Sequence, residues 1–199
     1  MAITYPRDFP TINGKSIVQN CSFKLVQSAA KTESMTNFLE LTTDFGQARW
    51  EAEITIRPLN KDEAKIFTAF IASLRGITKT FLFGNPFMNY SSNPPALTTN
   101  STAYEGDTSM SISNTGQDFT AGSHFQFGSS MYMVLEEIPE NQTAIVEFSP
   151  PLRDTINSSS TLIVDNPVGK WRLASNDIGW DIDVSSHYSF SFACVEVIG

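Results

Sequence analysis

Between Arg49 and Phe83 the hydrophobic pattern changes period twice without a break. Trp50, Ala52, Ile54 and Ile56 alternate with Glu51, Glu53, Thr55 and Arg57, the period of two expected of a strand with one buried and one wet face. Pro58 is expected to close that strand. Asn60 then stands three residues before Glu63, the spacing of a capping box in which each side chain satisfies a backbone N–H near the other. Ile66, Phe67, Phe70, Ile71 and Leu74 return at helical spacing while Lys61, Asp62, Glu63 and Lys65 stay polar. This predicts a helix over about 61–75, ended by Gly76 in a left-handed cap. Thr80–Phe83 returns to strand.

Outside this unit the pattern is mostly that of strands. The first ten residues, with Tyr5, Pro6, Phe9 and Pro10, read as an extended arm that needs a surface to lie on. Ser16–Val26 reads as a strand with a bulge near Ile17–Val18. Gln27–Thr36 is polar and reads as a loop, Phe38–Thr42 as a second strand, and Phe45–Gly46 as a turn. From Gly84 to Asn100 three prolines and four asparagines predict a boundary or long loop. Short strands follow at Ser109–Ile112, Phe125–Phe127, Met131–Glu136, Ala144–Phe148 and Leu162–Val164, separated by turn residues, as in a small antiparallel sandwich or barrel. Trp171–Ala174 and Tyr188–Val197 are longer, and Phe190, Phe192 and Cys194 share one face. So apolar a final strand needs long partners. The predicted fold is mainly β: a β-sandwich with one packed helix, built from residues 1–85 and 169–199, and a small antiparallel β-barrel or sandwich inserted at 86–168.

Composition sharpens the class. The 199 residues are 41% hydrophobic and only 17% charged, so Ser, Thr and Asn must supply much of the polar surface, as they do in β-rich proteins. A formal charge of −8 argues against nucleic-acid binding, which needs clustered Lys and Arg. No apolar run approaches a membrane span, and the N-terminus lacks the order of a signal peptide. A cytoplasmic site of synthesis is expected. Cys21 and Cys194 are too few for a disulfide framework and read as small buried hydrophobes, although pairing of the first and last strands would bring them together.

Candidate chemistry is sparse. Asp177, Asp181 and Asp183 lack the ligand order of a calcium loop, and alternation with Ile182 and Val184 makes them the wet face of a strand. His124 and His187 are the only histidines; neither stands in a nucleophile-elbow setting. Glu136, Glu137 and Glu140 crowd one strand end and do not resemble the carboxylate pair of a glycosidase. No catalytic residue, cofactor or metal is expected. The aromatic and proline-rich stretch Phe87, Met88, Tyr90, Pro94, Pro95 and Leu97 is a candidate interaction loop.

The order of features, Trp50 to R-P-L, then AFIASLRG, TFLFGNP, a β-rich stretch, PPLRD and WRLASNDIGWDID, resembles a family of tailed-bacteriophage proteins. These are the distal tail and other minor tail proteins, with a W-x-x-x-I-x-L-x-P-L strand, a helix ending A-F-L-x-x-L-R-G and an F-L-x-x-x-P strand. The matching positions are Trp50, Ile54, Pro58, Leu59, Ala69, Phe70, Leu74, Arg75, Gly76, Phe81 and Pro86, then Pro151, Leu152, Arg153, Arg172 and Leu173. The first forty residues and the 86–168 region are less recognisable, which leaves the particular tail component open. The resemblance implies a structural virion protein: a ring, often sixfold, joining the tail tube to the baseplate or tail tip, with itself and those tail proteins as partners. The alternative is a carbohydrate-binding module recognising a host receptor.

Overall fold

The computed structural model describes residues 3–87, 94–182 and 187–198. In chain order the strands before the helix are β1 (Arg7–Asp8), β2 (Thr11–Ile12), β3 (Lys15–Ser16), β4 (Val18–Glu33) and β5 (Glu40–Leu59). Helix α1 (Lys61–Leu74) and a short 3-10 turn (Gly76–Thr78) precede β6 (Phe81–Phe83). Next come β7 (Leu97–Thr99), β8 (Ser109–Asn114), β9 (His124–Phe127), β10 (Ser130–Val134), β11 (Thr143–Ser149) and β12 (Thr161–Leu162). The chain closes with β13 (Gly169–Leu173), β14 (Trp180–Ile182) and β15 (Tyr188–Glu196). The fold is mainly β: among the described residues there is one α-helix, a seven-stranded mixed sheet and a nearly closed six-stranded antiparallel barrel.

The sheet runs β1-β6-β13-β15-β5-β4, with β14 also paired to β15. It takes strands from before and after the barrel, which is formed by the stretch between them in the order β12-β7-β8-β11-β10-β9. Gln126 of β9 and Ile163, just past β12, exchange backbone hydrogen bonds of 2.7 and 3.0 Å and bring the barrel's end strands together. The chain leaves the sheet at Gly84 and returns at Pro167–Val168, and these two crossings touch. A Cβ on Gly84 would run into the carbonyl oxygen of Pro167, so glycine is needed there for close backbone approach.

The alternating residues Trp50, Ala52, Ile54 and Ile56 of β5 are all buried, beside Phe190, Phe192 and Cys194 of β15 and Phe81 and Phe83 of β6. Helix α1 covers this face with Phe67, Phe70 and Leu74. Its start is specified locally: Asn60 Oδ1 accepts from the N–H groups of Asp62 and Glu63, both at 3.0 Å, and Glu63 Oε2 accepts from Asn60 N–H at 3.1 Å. Arg57 lies across the box, its guanidinium on both carboxylate oxygens of Glu63 at 2.8 and 3.1 Å. The N-terminal segment lies on its own domain. Arg7 N–H and Phe9 N–H donate to Thr80 and Leu82 carbonyls, and the Phe9 ring enters the core 4.9 Å from Phe83 and 5.7 Å from Phe70. The barrel has a separate core in which the rings of Phe125, Tyr132 and Phe148 pack on one another at 5.2–5.8 Å.

Four local expectations are corrected. Gln27–Glu33 is strand, not loop, paired to Glu40–Ala48 across one register shift. Both faces of this stretch are exposed, so it carries no alternation to read. Phe45–Gly46 is a bulge inside one continuous strand rather than a turn. Leu97–Thr99, inside the stretch read as loop, is β7, paired to β8 and β12. The left-handed helix cap begins one residue early, at Arg75 (φ 51°), and Gly76 (φ 63°) continues it.

Candidate interaction surfaces

The most exposed part of the protein is built from its two longest strands. β4 and β5 pair continuously from Val18 to Glu33, but β15 accompanies β5 only as far as Glu51. Beyond that point β4 and β5 form a two-stranded arm. Ser28 faces Gln47 and Ala29 faces Asp44, which leaves Phe45 and Gly46 as an unpaired bulge. Gly46 takes φ +66° there, and its N–H donates to Asp44 Oδ1 at 2.8 Å. Extra residues of this kind bend and twist a hairpin, so the bulge sets the angle of the distal arm. From Ala29 to Glu33 the arm continues for roughly 15 Å at the usual strand rise, before its terminal turn.

That turn spans Ser34–Leu39. Ser34 N–H donates to the Leu39 carbonyl at 2.9 Å and Phe38 N–H to the Ser34 carbonyl at 3.0 Å. Phe38 adopts φ 56°, a left-handed conformation costly for a bulky side chain. Met35 is 98% exposed, Phe38 76% and Leu41 70%, and Leu39 and Phe45 are also exposed. Isolated exposed hydrophobes are ordinary, but Met35, Phe38, Leu39 and Leu41 at the tip, with Phe45 at the bulge below it, make the arm a candidate contact surface. Lys31 holds Glu40 at 2.5 Å; the pair is exposed, so it orders the arm more than it stabilises it.

A groove lies elsewhere on the same sheet domain, with a volume of about 460 Å³. One wall is the outer stripe of α1, including Lys61, Lys65, Ala69 and Ala72, and the other is Trp180 with Tyr188. Trp180 is 45% exposed and its ring lies 6.1 Å from Phe190.

The candidate interaction loop is divided by the structure. Phe87 and Pro94 are exposed, whereas Pro95 is buried and Leu97 is fully buried in the barrel core as the first residue of β7. Met88 and Tyr90 lie outside the described residues, as does Asp183 of the acidic cluster. Asp181 is exposed on β14, but so are Trp180 and Ile182, so this strand shows no alternation between a wet and a buried face. Among the described residues no group of three or more His, Cys, Asp or Glu side chains is arranged to hold a metal ion. No helix among them is long and apolar enough to cross a membrane.

Sequence reasoning missed the polar junction between sheet and barrel. Arg153, just after β11, donates to the Ala48 carbonyl at 2.5 Å and to Glu196 Oε2 at 3.0 Å. Glu196 Oε2 also accepts from Trp50 N–H at 3.0 Å, and Trp50 Nε1 donates to the Met131 carbonyl at 3.0 Å. The two charged side chains are only 6% and 3% exposed. A signal was present: Glu196 continues the apolar face of Phe190, Phe192 and Cys194, where a carboxylate has no place without a cation. His124 sits 5.5 Å from the Trp50 ring, and burial holds its imidazole below the ordinary range. Burial likewise pushes the thiols of Cys21 and Cys194 upward, so both are poor nucleophiles. They lie on β4 and β15, separated by β5, and both are free. The chain matches no protein-family model and no curated protein.

Proposed function

We propose that this chain is a structural protein of a bacteriophage tail, a ring subunit of the distal tail kind that joins the tail tube to the baseplate or tail tip. The observation that carries the reading is the β4–β5 arm. A monomer has no use for a two-stranded extension that buries nothing and ends in Met35, Phe38, Leu39 and Leu41. Burial of such a tip against another chain removes apolar surface from water and covers exposed strand edges. The residues behind the resemblance also serve one purpose here: Trp50, Ile54, Phe70, Leu74 and Phe81 build the core of the sheet domain from which the arm projects. Contacts of this kind between unlike surfaces of identical subunits close into rings when the rotation allows. Electron microscopy and light scattering of the purified protein test the proposal. The expected result is a closed ring with a central lumen; a strict monomer at high micromolar concentration, with no such ring in assembled particles, overturns it.

A second reading gives the barrel a carbohydrate-binding role. Asn100, Ser111, Ser113 and Thr143 form an exposed polar patch on it, but their side chains already bond to one another at 2.6–3.3 Å. A sugar would have to displace those bonds, which ranks this reading second. Specific glycan-array binding lost on Ser113→Ala would favour it.

A further inference from the structure

The arm and the groove on α1 lie toward opposite ends of one domain, and their chemistries match. We infer that the groove between α1 and β14 receives the arm tip of a second copy of this chain, which deepens and rests on the ring reading above. The tip cannot reach its own groove. β5 runs from Glu40 to Leu59 and α1 begins two residues later. At ~3.3 Å per strand residue the tip lies roughly 60 Å from the start of α1. The helix returns only about 18 Å along that path at ~1.5 Å per residue, even out to Ala72. The contact must therefore be made between chains.

Three observations choose this groove over the other surface depressions. First, its floor is low where an aromatic or leucine side chain would enter: Ala69 and Ala72 are exposed and small, and Trp180 and Tyr188 give the opposite wall an aromatic face. Second, the signs of charge agree. Glu33, Glu40 and Asp44 flank the apolar tip, with Lys31 as the one cation among them, and Lys61 and Lys65 flank the groove. Lys65 is held by Asp62 at 2.8 Å, an exposed pair that an incoming carboxylate can share. Third, the other depressions suit the tip less well. The one beside Val26, Ala48 and Ile198 is at the base of the arm itself, the one beside Asp8 and Phe83 carries a carboxylate and no Lys or Arg, and the one beside Lys24 sets two carboxylates, Glu51 and Glu53, against a single cation and has no aromatic wall. The resulting contact is head-to-tail, because the tip of one copy meets a different surface of the next.

Site-directed cross-linking tests this. Phe38→Cys and Ala69→Cys are made in separate full-length chains; the natural cysteines are half-buried and buried, so their background is low. After mixing and oxidation, a disulfide-linked pair is expected only in the mixture and in neither chain alone. Ala69→Glu, which fills the groove and adds a carboxylate facing an acidic tip, is expected to abolish assembly while circular dichroism stays that of the folded wild-type chain. If the wild-type chain assembles but the mixture yields no cross-link and Ala69→Glu still assembles, the groove assignment is overturned and the ring reading stands. If the wild-type chain does not assemble at all, both fall.

Discussion

From Val18 to Phe23, β4 packs one side chain in two onto the sheet core; from Ala29 to Glu33 the same strand is exposed on both faces. β5 divides in the same way, with Glu40–Gln47 open to solvent and Ala48–Leu59 alternating between core and surface. The two halves share the β4–β5 ladder, but only the proximal half of β5 also pairs with β15, and a bulge at Phe45–Gly46 sets the distal half apart. Their difference lies in what the side chains meet. The proximal half is stabilised by burial against α1 and the neighbouring strands. The distal half has only its own ladder, and a lone two-stranded ribbon is marginal in water. Its apolar tip costs the monomer solubility without adding a core. The same strand pair is thus scaffold at one end and, on the proposed function, a surface for association at the other.

Substitutions along this pair separate the two roles. Trp50→Ala should cost the most, about 3–5 kcal/mol, because it empties a buried site and removes the Nε1 bond to the Met131 carbonyl; urea unfolding reads the loss. Phe38→Ser, on the same ribbon, should stay within about 0.5 kcal/mol of wild type for the monomer. Equal losses at the two positions would erase the distinction.

The junction beneath Trp50 offers the next test. Arg153→Ala leaves Glu196 buried without a cation and should cost about 3–5 kcal/mol. Arg153→Met combined with Glu196→Leu should recover most of that loss, since the expense lies in stranding one charge rather than in losing the pair. A double variant as weak as the single one would mean that the Arg153 bond to the Ala48 carbonyl carries the stability instead.

How much of this was legible in the sequence depended on whether a residue's neighbours lie near it in the chain. The capping box at Asn60 and Glu63, the buried face of Trp50–Ile56 and the short barrel strands were readable because local spacing determines them. The arm was not: Gln27–Glu33 meets solvent on both sides, so it shows the polarity of a loop while its backbone forms a ladder with Glu40–Ala48. Leu97 follows Pro94 and Pro95 and so has the local context of a loop, while its place in the barrel comes from pairing with Asn114 and Leu162, distant in sequence. Arg153 and Glu196 are 43 residues apart, and only the fold brings them together. Of the candidate loop, Phe87 and Pro94 remain on the surface.

Smaller effects follow. Asn60→Ala should cost about 1 kcal/mol by unsatisfying the first turn of α1, measurable as a lower Tm. His124 gives a pH dependence. Because burial lowers its pKa from the ordinary 6.5, the unfolded chain binds a proton as pH falls through that value while the folded chain resists. Its stabilising contribution is therefore full above the ordinary imidazole range and declines as pH drops toward the lowered value. His124→Gln should flatten that part of a stability profile. The Glu63 carboxyl, held low first by the Arg57 hydrogen bond and then by Asn60 N–H, loses its contribution in a lower window, below its ordinary 4.5. The two groups are therefore separable by pH.

The most direct test of the arm as an association device is the solution mass of two chains compared by light scattering after size exclusion: the wild type, and a variant in which Ala30–Thr43 is replaced by a two-residue Asn-Gly turn. A ring-sized multimer is expected for the first and a folded monomer, with wild-type circular dichroism in its sheet signal, for the second. A shortened chain that still assembles, or a wild type that stays monomeric at high micromolar concentration, would contradict it.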